Sequence, residues 1–334
     1  MLVSYKWCIC TLSIFALFSS ITAAGKHRTP SHIVVDPSGK HGFRSIQAAV
    51  NSVPSKNRKW TTIDIKEGVY REQVVIPYDK PFIYLKGAGR KKTFVEGNGH
   101  GPINETATFV SQADNILARG ITFTNSYNYP PERNRNPVEP AVAALIQGDK
   151  SAFYRCRFFG VQDTLWDAYG RHLYRSCTIQ GAVDFIFGSA QSIYESCTIS
   201  AVAAALNGKT GYITSQGKNH PQDTSGFVFK NCNVVGNGKF FLGRPWRDYA
   251  RVLFYNTAMA DIIHPLGWDA WSRTGYESTL MMAEYNCRGP GANTSGRVKW
   301  EPKLRPREAR RLTNISFIDD QGWVKKAFKI MGRH

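Results

Sequence analysis

Hydrophobic and polar positions alternate over short distances along most of the chain. Four segments share one pattern: Phe153-Tyr154-Arg155-Cys156-Arg157-Phe158, Leu173 to Ile179, Ile193 to Ile199 and Phe227 to Val234. A weaker copy precedes them at Ala118 to Phe123, and another follows at Val252 to Tyr255. Each is a run of alternating or β-branched apolar residues bounded by Gly, Asn or Asp, which predicts a strand. The cysteines of the four main copies are spaced by 21, 20 and 35 residues. A period of about 20 residues is too short for a strand-helix-strand unit and suits a solenoid whose coils each carry several strands. The longer interval then holds an excursion. Propellers and sandwiches need frequent tight hairpins, and Asn-Gly or Asp-Gly turns between matched strands are scarce here. The pattern favours an all-β parallel β-helix.

Ahead of the repeats, Ile33-Val34-Val35 reads as a strand. Phe43, Ile46, Val50 and Val53 fall on one helical face, which Pro54 ends. Such a helix would cap the exposed end of the strand stack. Thr61 to Ile65 and Gln73 to Ile76 continue the strands around a turn-like Glu67-Gly68-Val69-Tyr70. No low-complexity break follows, so residues 25–334 are expected to form a single domain. Residues 1–24 have the Lys6 start, apolar run and small-residue end of a secretory signal, which makes the mature chain extracellular.

Secretion permits disulfides, and five cysteines remain after the signal: 156, 177, 197, 232 and 287. They read either as a buried ladder of thiols or as a framework with a Cys197–Cys232 bridge. Neither Cys-x-x-Cys nor a His cluster points to a metal. Asn104, Asn293 and Asn314 open glycosylation acceptor triplets. The 334-residue chain carries a net charge of +18. In a secreted protein this favours a polyanionic partner such as an acidic polysaccharide. Nucleic-acid motifs and amphipathic basic helices are missing, which disfavours nucleic acid and membrane as partners. The run Arg305 to Arg311 reads as solvated surface.

Candidate chemistry centres on Asp163 and Asp184, which are 21 residues apart, the interval of the repeat. One coil apart, they would be close neighbours. Two carboxylates within about 5 Å cannot both ionise cheaply, so one keeps its proton and can donate it while the other attacks. Arg244, in Leu242-Gly243-Arg244-Pro245-Trp246, is the best candidate to hold the ionised member. Gln162 offers amide donors for a developing oxyanion. The plainer reading is that both acids cap turns between coils.

From Ile33 to Trp323 the chain resembles plant pectinesterases (pectin methylesterases), in the form without an inhibitor-like pro-region. The matching motifs are Gly68-Val69-Tyr70-Arg71-Glu72, Gln162-Asp163-Thr164-Leu165, Asp184-Phe185-Ile186-Phe187-Gly188 and Leu242 to Trp246. The resemblance implies a right-handed parallel β-helix and a carboxylic ester hydrolase acting on methyl-esterified pectin in the cell wall, with no metal or organic cofactor. By motif, Asp184 would be the nucleophile, Asp163 the acid/base, Gln162 the oxyanion donor and Arg244 the partner of Asp184. Trp246 would be a sugar platform, and Thr108 would contact substrate. A monomer and a separate proteinaceous inhibitor are implied as well. Pro140 departs from the family, which usually has Gln there, in Gln-Ala-Val-Ala-Leu. Proline supplies neither side-chain donor nor N–H, and one lost oxyanion donor costs about 2.7 to 4 kcal/mol of transition-state stabilisation. The alternatives are a glycoside hydrolase or lyase on the same fold, or a non-catalytic or weakly active pectin-binding wall protein.

Overall fold

The computed structural model describes residues 32–332. The expected signal and the polar lead before Ser31 lie outside the described residues. Within them, parallel strands build three sheets of ten, seven and eight strands. A typical coil runs from Ser151–Tyr154 in the ten-stranded sheet, through Arg157–Phe159 in the eight-stranded sheet, to Leu165–Asp167 in the seven-stranded sheet. The next coil repeats this as Arg171–Arg175, Thr178–Gly181 and Ile186–Gly188. This is the parallel β-helix expected from the repeat.

Equivalent residues stack because the register never slips. Phe153, Tyr174, Tyr194, Phe229 and Phe254 pair in file. Their rings stack at centroid distances of 5.1, 4.7, 4.5 and 4.5 Å. Each fully buried aromatic ring contributes about 1.5–3 kcal/mol by leaving water. The cysteines form the ladder of thiols, and all five are free, so the Cys197–Cys232 bridge is not made. The Sγ atoms of Cys177, Cys197 and Cys232 instead donate to the carbonyls of Phe153, Tyr174 and Tyr194, one coil back. Asp167, fully buried at the end of its strand, accepts hydrogen bonds from the Tyr174 and Tyr194 hydroxyls at 2.8 and 2.6 Å and pairs with His172. That network pins one end of the strand whose other end carries Asp163.

The capping helix spans Ile46–Ser52, with the Ser45 side chain accepting from the Ala48 N–H. Phe43 is not on it. It bridges Val35 before the helix begins and is partly exposed. The expected turn at Glu67–Tyr70 is also corrected: Gly68–Arg71 is a strand, paired with Thr93–Gly97 at one edge of the eight-stranded sheet. Glu72, just beyond it, accepts from the Ile46 and Gln47 N–H groups at the start of the helix. Gln47 in turn exchanges hydrogen bonds with the N–H and carbonyl of Val75. A side-chain amide thereby stands in for the missing neighbour strand at the edge of the seven-stranded sheet, where Val74–Ile76 is the last strand.

Two further helices, Pro306–Thr313 and Trp323–Met331, were not expected. Their buried Leu312, Trp323, Val324 and Ala327 pack in one cluster with outward-facing Leu117, Leu173, Ile193 and Leu253 of the ten-stranded sheet. The basic run at 305–311 is therefore partly helical, exposing its arginines while Ala309 and Leu312 are buried. No helix among the described residues is long and apolar enough to cross a membrane.

Candidate active site

Asp163 and Asp184 each stand two residues before a strand of the seven-stranded sheet, and those strands pair with Leu165 opposite Ile186. Gln162 bridges Val183 directly, so the two acids occupy one position on adjacent coils, spaced by about 4.8 Å of backbone. Both have positive φ, 59° and 46°, a conformation that Asp tolerates better than most residues.

Arg244 reaches Asp184 from two coils further on, through the file Phe187, Ser215, Arg244. Its Nε donates to Oδ1 at 2.9 Å and its Nη2 to Oδ2 at 2.6 Å. Arg244 lies on the strand Phe240–Pro245, where Gly243 is needed because a Cβ there would come within 2.0 Å of the Thr214 hydroxyl. The guanidinium is held between two aromatic faces, Tyr212 at 4.1 Å and Trp271 at 4.4 Å. Asp269 fixes both. It accepts from the Tyr212 hydroxyl at 2.9 Å and from the Trp271 N–H at 2.8 Å. Tyr212 stands in a family-like stretch, Gly211-Tyr212-Ile213-Thr214, but none of the three was given a role from sequence, because the pairing only appears once distant coils are stacked. The Gly-Trp-Asp-Ala-Trp stretch at 267–271 was the available signal.

The two acids differ electrostatically. Burial and then the negative charge of Asp184 push the Asp163 carboxyl up to about 8, with Arg244 pulling the other way. Burial also raises Asp184. There the Arg244 hydrogen bonds and charge oppose the shift, and Asp269 adds to it. Near neutrality, Asp163 is the protonated member.

Gln162 is half-buried next to Asp163, and Pro140 bridges it from the preceding coil. Proline thus stands in register with the amide donor. Trp246 follows the strand end and its N–H donates to the Gln216 carbonyl at 3.0 Å. It packs edge-on to Phe187, which stacks on Trp166 at 5.3 Å. Trp166, Tyr169, Trp246 and Arg247 line a cavity of about 470 Å³. Thr108 sits at the same corner two coils before Asp163 and lines a second cavity of about 510 Å³. Its hydroxyl, however, is buried and donates to the Thr124 carbonyl.

The pectinesterase family model matches residues 32–321. The chain belongs to the pectinesterase family. Probable pectinesterase 29 of Arabidopsis thaliana is 53% identical over 296 residues, 88% of each chain. Among solved pectinesterases, pectin methylesterase from carrot superposes with a TM-score of 0.83 at 31% identity, covering 89% of this chain and 95% of that one. A pectin methylesterase solved in complex with a hexasaccharide superposes at 0.74 and 25% identity, covering 86% and 97%. As a pectinesterase the chain is a carboxylic ester hydrolase, and the paired acids, Arg244 and Gln162 lie together at one corner of its coils.

Proposed function

We propose that this pectinesterase hydrolyses the methyl esters of homogalacturonan in two steps carried by Asp184 and Asp163. Asp184, kept charged by Arg244, attacks the ester carbonyl carbon. The oxyanion that forms is held by the Gln162 amide. As the tetrahedral intermediate collapses, the C–O bond to the methoxy group breaks, and Asp163 gives that oxygen its proton. Methanol leaves, with an acyl-enzyme on Asp184 and Asp163 now ionised. Asp163 then takes a proton from water, whose oxygen attacks the acyl carbon. This frees Asp184, releases the galacturonate carboxyl and restores the Asp163 proton.

The single observation behind this reading is the asymmetry of the pair, one acid gripped by arginine and the other kept protonated by burial and by its neighbour's charge. Trp246 and Trp166 would supply sugar platforms beside the acids, as a groove for a polysaccharide requires. Action on pectin places the enzyme outside the cell at the wall, which the secretory start and the exposed Asn104, Asn293 and Asn314 suit. It is read as acting as a monomer, open to control by a separate inhibitor protein. Methanol release from highly methylated pectin, without new reducing ends, tests the activity. Retained release in Asp184→Asn overturns the nucleophile assignment.

A further inference from the structure

A third cavity, of about 630 Å³, opens at another corner of the coils. Four of its lining residues are cationic: Lys86, Arg90, Arg119 and Arg155. They come from three successive coils, with Lys86 in register with Arg119 and Arg119 with Tyr154. Asp64 is the carboxylate in the lining, and Lys86 at 3.3 Å shares it with His32. The three guanidiniums rest on neutral groups. Arg90 donates to the Ser176 carbonyl and Arg119 to that of Met331. Arg119 and Arg155 both lie over the Tyr154 ring, at 5.7 and 5.1 Å.

Glu195, in an adjoining cavity that shares Arg119, is already paired with Arg175 and Lys230. Lys91 follows Arg90 on the same loop and is exposed. Arg157, from the neighbouring strand, is depressed by burial and by the charge of Arg90. Glycines 87, 89 and 120 also line it: at Gly87 the absent side chain lets the Gly120 carbonyl pack close, while at Gly89 the space a side chain would fill is open. Within one coil, Arg155 and Asp163 stand at opposite ends of the strand Arg157–Phe159. The cavity is therefore separate from the catalytic corner.

We propose that this cavity is a second polysaccharide site, taking a run of de-esterified galacturonate carboxylates and holding the enzyme on its own product. The choice of ligand rests on the pectinesterase reading. Uncompensated guanidiniums spaced over consecutive coils suit a linear polymer with one carboxylate per sugar. Arg155 and Arg90 are the residues to change, since neither touches the acids.

The test compares the parent, Arg155→Gln alone, Arg90→Gln/Arg155→Gln, and a control in the exposed C-terminal basic run, Arg307→Gln/Arg310→Gln. Binding to polygalacturonate is measured against salt, and methanol release is followed on two substrates. The double variant should bind about tenfold more weakly and with a shallower salt dependence, two surface charge contacts together being worth about that ratio. Its KM should rise on partly de-esterified pectin and stay unchanged on a short, fully methylated oligomer. Arg155→Gln, which breaks no hydrogen bond, should show part of the effect in a chain that melts like the parent. Equal weakening in the control would mean diffuse charge attraction and overturn the site, as would unchanged binding in both cavity variants. Equally tight capture on phosphatidylserine vesicles, lost in the same variants, would assign the cavity to a membrane surface and also overturn it. A parent that binds polygalacturonate through Arg90 and Arg155 yet releases no methanol would sink the catalytic reading and leave the cavity standing.

Discussion

Arg244 meets Asp184 edge-on with two hydrogen bonds of 2.9 and 2.6 Å, while Asp163, one coil away, has no cation bonded to it. Stacking alone would make the two acids equivalent. The arginine, arriving from two coils further along, makes them different, and in the proposed mechanism that difference divides the chemistry between them. Charge on Asp184 becomes cheaper, and that charge makes ionisation of Asp163 costlier.

The pH dependence follows from this division. In the proposed mechanism acylation needs Asp163 protonated, so methanol release should fall as pH rises through about 8. Asp163→Asn should remove that alkaline limb from the residual rate. Stability carries the same signature. The unfolded chain loses the Asp163 proton in the ordinary carboxyl range, whereas the folded chain keeps it to about 8. Between those values the unfolded state binds fewer protons, so this group's contribution falls as pH rises. Asp163→Asn should therefore melt above the parent at mildly alkaline pH, with the gap closing toward acid pH. A constant gap across that range, seen by calorimetry, would count against the elevated carboxyl.

Kinetics with a better leaving group separate the two roles. On methyl esters, Asp184→Asn should lose on the order of 10⁴-fold or more, and Asp163→Asn about 10²- to 10⁴-fold. A nitrophenyl ester of a galacturonate oligomer needs no proton on departure. Asp163→Asn should then give a burst of nitrophenol followed by a stall at the acyl-enzyme, and Asp184→Asn should give no burst. A burst from Asp184→Asn would reverse the assignment.

The coil repeat, the stacked acids and their arginine were legible because a solenoid turns sequence interval into spatial adjacency. The 21-residue spacing from Asp163 to Asp184 is the register of Leu165 on Ile186. What stayed hidden lacked that periodicity. The C-terminal helices cover Leu117, Leu173 and Ile193, whose outward positions are apolar in copy after copy. That loss of alternation marks a strand buried on both faces and went unread. The motif ending in Glu72 carried a helix cap rather than chemistry. The free thiols each have a carbonyl partner one coil back, a geometry that spacing could not choose over a bridge.

Asp269 should act through Arg244 without touching substrate. Trp271 is held at φ 47°, a conformation costing a bulky residue about 1–3 kcal/mol, and the Asp269 carboxylate secures it there. Asp269→Asn keeps an acceptor for the Trp271 N–H but removes a charge that raises Asp184. The acidic limb of kcat/KM, set by ionisation of Asp184, should move to lower pH. Asp269→Ala removes the same charge but also frees both aromatic walls and so loosens Arg244; its limb should lie above that of Asp269→Asn and kcat fall by about tenfold, the scale of one lost charge-assisted contact. If both variants leave the limb in place, the aromatic clamp has no electrostatic role.

Pro140 offers the remaining test, because its register is known. It bridges Gln162, and Gln162 bridges Val183, so the three form one file across the catalytic coils. A glutamine at 140 would project from the position adjoining the Gln162 amide, toward the same developing oxyanion. Single oxyanion donors are worth about 10²- to 10³-fold in kcat. Pro140→Gln should therefore raise kcat by up to that factor. KM should change little, since the donor acts on charge that appears only in the transition state. The new N–H of residue 140 could unsettle the turn, so melting temperature is measured alongside methanol release. A variant that melts with the parent and releases methanol no faster would show that Gln162 alone suffices, and that the proline costs this enzyme nothing.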